Sequence, residues 1–239
     1  MSQVDSSKEY WIWYDRGSRL WESGEYDEAL TSFARALASR PNDYWAWYNR
    51  GSILLEDLDR FSDAIASFEQ ALAIRPKDYW AWFRRGDALR HLQQYTEAIA
   101  SYDQALSIRP KDFWAWFRRG DALRHLQQYT EAITSYERAK AIHSDNFWTY
   151  YKLGDTFRYV GDYEAALFNY QKATKLKPTD EYAWYNCACC AARLGKRTLA
   201  IESLESALKL NPSKFEVSIK TDPDLDIIRD SWVSVGRLN

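Results

Sequence analysis

The chain has 239 residues, a net charge of −2 and 16% aromatic side chains, among them 12 Trp and 17 Tyr, with only 9 Gly and 6 Pro. That balance excludes a disordered or collagen-like chain, and scarce turn residues argue against many short strands. A net charge so near zero gives no overall attraction to nucleic acid or to a membrane surface.

Residues 1–8 are polar and read as a flexible tail without the apolar core of a signal peptide. Beyond them small residues recur at Gly17, Gly51, Gly86, Gly120, Gly154 and Ala188, spaced 34, 35, 34, 34 and 34. Two alanine series keep the same phase: Ala29, Ala64, Ala98, Ala132, Ala166 and Ala200, and Ala36, Ala71, Ala105, Ala139, Ala173 and Ala207. Pro41, Pro76, Pro110, Pro178 and Pro212 mark the joints, with Ser144 as the exception. A period of this length signals a stack of supersecondary units sharing one continuous core.

First helices are expected near 9–22, 44–57, 79–92, 113–126, 147–160 and 181–194, and second helices near 26–38, 61–73, 95–108, 129–141, 163–175 and 197–209. Asp43, Asp78, Asp112, Asn146 and Asp180 stand where first helices begin and suit their free N–H groups as caps. An aromatic sits four residues before each small residue (Trp13, Trp47, Trp82, Trp116, Tyr150, Trp184), on the same helix face, so a bulky knob lies beside a gap. Trp82, Trp116, Gly86 and Gly120 are therefore expected to be largely buried. The one extra residue falls near Leu58–Asp59, inside a turn. Repeat bounds are about 10–43, 44–78, 79–112, 113–146, 147–180 and 181–214. Residues 215–239 break the pattern and read as capping helices over the last pair, Phe215–Lys220 and Asp222–Trp232, with Asp222 as cap and Pro223 in the first turn.

The pattern resembles the tetratricopeptide repeat family over residues 10–214. The family's W-x2-L-G-x2-Y signature stands as Trp82-Phe-Arg-Arg85-Gly86-Asp-Ala-Leu89, followed by Tyr95, Ala98, Tyr102, Ala105 and Pro110. The resemblance implies an all-α fold, a right-handed superhelical solenoid of six antiparallel helix pairs with a C-terminal cap. The signature Leu before Gly is replaced by Arg16, Arg50, Arg85 and Arg119, returning as Leu153; snorkelling or pairing with an acid is expected of those arginines. The third and fourth repeats are identical over Trp80–Ile99 and Trp114–Ile133, surface positions included, which implies duplication.

With Tyr79 as position 1 of the third repeat, positions 2, 5, 6, 9, 12 and 13 form a stripe that in the family lines a concave groove. Position 2 reads Trp11, Trp45, Trp80, Trp114, Trp148 and Tyr182, and position 5 reads Tyr14, Tyr48, Phe83, Phe117, Tyr151 and Tyr185. Arg84, Arg90, His91, Arg118, Arg124, His125, Lys152 and Arg158 interleave with them, and Asp87, Asp121 and Asp155 lie close enough along the helix to pair with part of that charge. The candidate partner-binding residues are thus Trp45, Tyr48, Trp80, Phe83, Arg84, Arg90, His91, Trp114, Phe117, Arg118, Arg124, His125, Trp148, Tyr151, Lys152 and Arg158. Trp, Tyr and Arg dominate binding energetics, so a protein or peptide segment with apolar or aromatic anchors and acidic residues is the expected partner. Packing between repeats is the competing role for the same rings, above all at position 5. Single-stranded nucleic acid is the alternative ligand, its bases stacked on aromatics and its phosphates on Arg; the net charge and the Asp row speak against it. The Lys and Asn that chaperone-binding members carry at positions 5 and 9 are replaced by aromatics and by Ser or Asp.

Cys187, Cys189 and Cys190 are too few for a disulfide framework and fit a reducing compartment. No fourth thiol or His lies near them in sequence, so they read as packing residues and no metal is expected. No phosphate loop, nucleophile elbow or HExxH is present. No apolar run approaches the ~20 residues of a membrane span. A cytoplasmic, monomeric, non-enzymatic scaffold or adaptor without cofactor is the expectation.

Overall fold

The computed structural model describes residues 3–229. First helices are α1 (Gln3–Glu22), α3 (Tyr44–Glu56), α5 (Tyr79–His91), α7 (Phe113–His125), α9 (Phe147–Tyr159) and α11 (Glu181–Arg193). Second helices are α2 (Tyr26–Ser39), α4 (Phe61–Ile74), α6 (Tyr95–Ile108), α8 (Tyr129–Ile142), α10 (Tyr163–Leu176) and α12 (Arg197–Leu210). Helix α13 (Pro212–Thr221) and a 3-10 turn (Pro223–Leu225) come next, then helical residues 226–229. No strand occurs among the described residues. The chain divides into two compact units, Met1–Leu126 and Gln127–Asn239. In the first, α1 to α6 each pack on the next helix in sequence; in the second, α8 to α12 do the same.

Two ends differ from expectation. Helix α1 starts at Gln3, so residues 3–8 are helical where a tail was expected at 1–8. Nothing among them is Gly or Pro, and nothing stops the helix from extending back. At the other end α13 runs longer than the expected Phe215–Lys220, because Pro212 sits comfortably in its first turn. Asp222 does cap the following turn, and the expected continuation to Trp232 lies outside the described residues.

Each start of α3, α5, α7, α9 and α11 is fixed by a side chain. Asp43, Asp78 and Asp112 accept from the amides of Ala46, Ala81 and Ala115 at 2.8 Å, and Asn146 and Asp180 from Thr149 and Ala183 at 3.0 Å. Such a cap stabilises a helix by ~1 kcal/mol. Between first and second helix the chain turns through one left-handed residue: Gly24, Asp59, Gln93, Gln127, Gly161 or Gly195. Loop 57–60 is one residue longer than loop 92–94, which puts the extra residue of the second repeat in this turn.

The recurring glycine makes room for a ring of the second helix. A Cβ on Gly51, Gly86 or Gly154 would come within 2.8, 2.7 and 2.8 Å of Phe68, Tyr102 and Tyr170, all fully buried. Real side chains do not approach so closely, hence Gly. Both alanine series are buried as well. Trp82 and Trp116, however, are half-buried and not core. Trp47, Trp82, Trp116 and Trp184 donate their indole N–H to the carbonyls of Pro41, Pro76, Pro110 and Pro178 at 2.7, 2.8, 2.8 and 3.0 Å. An indole N–H needs an acceptor, and the joint supplies one at the rim of the fold.

The arginines in place of Leu both snorkel and pair. Arg85 donates to Ser101 of its own second helix at 2.7 Å and to Glu69 of the preceding one at 2.8 Å. Arg50 bonds Ser67 likewise, and Arg119 pairs with Asp103 at 2.7 Å. In the fifth repeat Leu153 is fully buried and Asn169 stands where Ser101 stands in the third.

Candidate functional site

The stripe of positions 2, 5, 6, 9, 12 and 13 separates into three populations. Position 2 stays open. Trp80 is 46% exposed and Trp114 52%, with Trp11, Trp45, Trp148 and Tyr182 in the same range. Each indole rests edge-on against rings of its own helix: Trp80 lies 5.0 Å from Tyr79 and 6.4 Å from Phe83, and Trp114 5.0 Å from Phe113 and 6.1 Å from Phe117. These contacts fix the indole orientation and leave one side to solvent.

Position 5 is largely packing. Phe83 and Phe117 are buried, Phe83 between Tyr79 and Tyr102. Tyr48 and Tyr151 are half-buried, with hydroxyls directed to position 6 of the next repeat: Arg84 beside Tyr48, and Asn186 donating to Tyr151 at 3.2 Å. Burial holds both phenols above their usual range, so they stay protonated.

The charges are mostly engaged. Arg84 pairs with Glu56 at 2.6 Å, and Asp87 lies 3.9 Å from Arg90 and 3.6 Å from Arg118. Asp87 also accepts from the Tyr102 hydroxyl at 2.9 Å, as Asp155 does from Tyr170 at 2.6 Å. The acid at position 9 thus answers a tyrosine on the second helix, where Phe33 and Phe68 are instead matched by Ser18 and Ser52. The Nε atoms of Arg84, Arg90 and Arg118 are buried without a hydrogen bond, those of Arg90 and Arg118 facing Asp87 at ion-pair distance. Arg124 is half-buried in the last turn of α7, and Lys152 half-buried on α9.

The two histidines are exposed and also stacked. His91 lies 4.7 Å from Phe61 at 11° and His125 4.7 Å from Tyr95 at 2°, each on the first ring of the preceding second helix. Burial, then the neighbouring Arg90, lowers the His91 pKa, so it adds no positive charge near neutrality. Tyr159 stacks on Tyr129 in the same way. Arg158 faces Asp224, a residue from beyond the repeats, at 3.7 Å.

One row escaped the sequence reading. Arg75 sits 4.2 Å over the Tyr44 ring and 5.4 Å from Trp45, and Arg109 4.3 Å over Tyr79 and 5.3 Å from Trp80. Arg40 and Lys177 do the same for Tyr10 with Trp11 and for Phe147 with Trp148. Each of these cations ends a second helix and directly precedes a joint proline, a periodic signal that was available. Within residues 1–126 the result is an edge that carries both indoles and cations. On the second-helix side, a cleft of about 560 Å³ is lined by Trp82, Arg85, Glu69, Ala73, Ala100 and Gln104.

Cys189, Asp222 and Asp224 bring their potential donor atoms within 4.8 Å of one another. They do not suit a cation: Asp222 accepts from Tyr185, Asp224 faces Arg158 and Arg193, and burial keeps the Cys189 thiol protonated. Helices long and apolar enough to cross a membrane are absent among the described residues.

The tetratricopeptide repeat profile matches residues 14–78, 53–113 and 151–215, and a second profile of the same repeat matches 111–179. The chain belongs to the tetratricopeptide repeat family. Solved structures share the fold of this tetratricopeptide array at low identity. A crystal structure of MamA protein is 20% identical with a TM-score of 0.70, covering 72% of this chain and 93% of that one. MamA from Desulfovibrio magneticus RS-1 is 22% identical with a TM-score of 0.68, covering 72% and 97%. YrrB, described as a tetratricopeptide repeat protein with an unusual peptide-binding site, is 21% identical with a TM-score of 0.68, covering 77% and 94%. No curated protein matches the chain in sequence.

Proposed function

We propose that this tetratricopeptide array is a non-catalytic scaffold that binds a segment of a partner protein along the first-helix face of residues 1–126. The observation that carries this reading is the register of half-exposed indoles: Trp45, Trp80 and Trp114 stay open while their ring neighbours at position 1 are buried. Large apolar side chains exposed in a row mark interaction surfaces, and Trp with Arg is the composition of binding hot spots. Arg75 and Arg109 beside the indoles, with Arg84, Arg90 and Arg118 further along the face, favour a partner carrying acidic residues among apolar or aromatic anchors. The peptide-binding site named for YrrB fits the same class of function. Phe83, Phe117, His91 and His125 support the face and do not contact the ligand directly. A preorganised stack of helices loses little conformational entropy on binding.

The test compares partners captured by the full chain with those captured by Trp80→Ala and Trp114→Ala, followed by titration of a captured partner. Each substitution is expected to weaken binding by about 2 kcal/mol or more, with the melting temperature held. A ligand identified as nucleic acid, with affinity falling steeply as salt rises, would replace this reading by the phosphate-binding one.

A further inference from the structure

The C-terminal turn of the chain lies where a ligand of the last first-helix face would lie. Asp222 caps the turn Pro223–Leu225, with Oδ1 accepting from the Asp224 amide at 2.9 Å. Its Oδ2 accepts from the Tyr185 hydroxyl at 2.7 Å and sits 3.7 Å from Cys189 Sγ. Asp224 reaches Arg158 and Arg193, each at 3.7 Å. Tyr185 and Cys189 are positions 5 and 9 of the sixth repeat, Arg193 its position 13, and Arg158 position 12 of the fifth. Every polar side-chain contact of the turn to α9 and α11 therefore falls on positions 5, 9, 12 and 13 of the stripe. Leu225 and Ile228 anchor it, each 1% exposed.

Two features distinguish this seat from a simple lid. Position 9 carries a carboxylate in three repeats, Asp87, Asp121 and Asp155, but Cys189 in the sixth, where the second helix offers Leu204 and no tyrosine hydroxyl. The face of α11 thus lacks an acid of its own, and the carboxylates of the turn supply it. The guanidinium contacts are also loose, and the side chains of Arg158 and Arg193 stay 36% and 47% exposed, as suits a ligand that leaves.

We propose that the face of α9 and α11 is a binding site for an Asp-x-Asp-Leu turn, that residues 222–225 occupy it as a tethered ligand, and that a partner protein presenting the same acidic turn displaces them. The site uses different residues from the tryptophan row and does not rest on it. A tethered segment competes at an effective concentration on the order of millimolar, so the native chain binds such a turn in trans weakly until its own is released.

Cys189 supplies the readout in the full-length chain, because it lies beneath Asp222 while Cys187 and Cys190 are buried elsewhere in the same helix. In site-resolved alkylation of the native protein, Cys189 should react at least tenfold faster than Cys187. A fluorescein-labelled peptide, Thr-Asp-Pro-Asp-Leu-Asp-Ile-Ile, should bind the Asp222→Asn/Asp224→Asn chain at least tenfold more tightly than the native chain and protect Cys189. Adding Arg158→Glu should abolish that binding. Equal alkylation rates at Cys189 and Cys187, or no peptide binding by a folded double variant, would establish the turn as a fixed cap and overturn the proposal. Should the double variant fail to fold, the native alkylation ratio decides alone. Either failure leaves the tryptophan-row reading standing, since that is scored on Trp80 and Trp114.

Discussion

The first-helix face is furnished differently in the two units. Over residues 1–126 its indoles are open, and its arginines are answered by acids from the same face, Glu56 for Arg84 and Asp87 for Arg90 and Arg118. Over residues 127–239 the corresponding charges, Arg158 and Arg193, are answered by Asp224 from beyond the repeats, and Leu225 and Ile228 are sunk beneath it. The repeat frame dictates where a side chain stands. Whether that place is open or filled depends on the segment C-terminal to the repeats. Position 5 of the sixth repeat takes part in the filling, since the Tyr185 hydroxyl donates to Asp222.

The contrast can be broken most forcefully at the anchor of the filled face. Leu225→Ala removes a side chain buried to 1% and should cost about 2–5 kcal/mol in chemical denaturation. Trp80→Ala, on the open face, should stay within about 1 kcal/mol of the native chain. Similar losses from both would mean that the open indoles are structural after all. A smaller effect is expected at the polar contact: Tyr185→Phe removes the hydroxyl that donates to Asp222 Oδ2 and should cost about 1.5–3 kcal/mol. The smallest effect separates the two units through their turns. Gln93 adopts φ 60° where Gly161 adopts φ 81°. Gln93→Gly should therefore stabilise by about 0.5 kcal/mol, relief of the left-handed strain being partly offset by a freer unfolded chain. Gly161→Ala should cost about 1 kcal/mol although nothing lies within 4 Å of its added Cβ. Thermal melts of the two variants check both signs.

Much of the fold was legible because its determinants are local and periodic. The Asp caps, the joint prolines, the alanine series and the extra residue of loop 57–60 are all written within a few residues of the feature they cause. What escaped depends on contacts between elements. Trp82 was expected in the core, but its N–H is held by the Pro76 carbonyl, whose direction only the folded joint determines. The stacking of the exposed His91 and His125 was not readable, because their ring partners, Phe61 and Tyr95, belong to the preceding repeat. The gap at Gly86 was readable, but not the Tyr102 ring that fills it. At the site, the indole row was readable from its period, and so was the cation before four of the five joint prolines, a signal outside the stripe on which the candidate residues lie. Occupation of the Arg158 face by Asp224 was not readable, since nothing in the spacing of the tail aims it back at α9.

Binding of a partner protein to the open row of indoles in residues 1–126 is tested most directly by titrating a captured partner against the native, Trp80→Ala and Trp114→Ala chains while recording their melts. The expected result is a loss of about 2 kcal/mol or more in binding from each variant, at least a 20-fold weakening, with unchanged melting temperature. Unchanged affinity with a lowered melting temperature would contradict it, and would assign the indoles to packing and the binding surface to the cleft of Trp82 and Arg85 on the second-helix side.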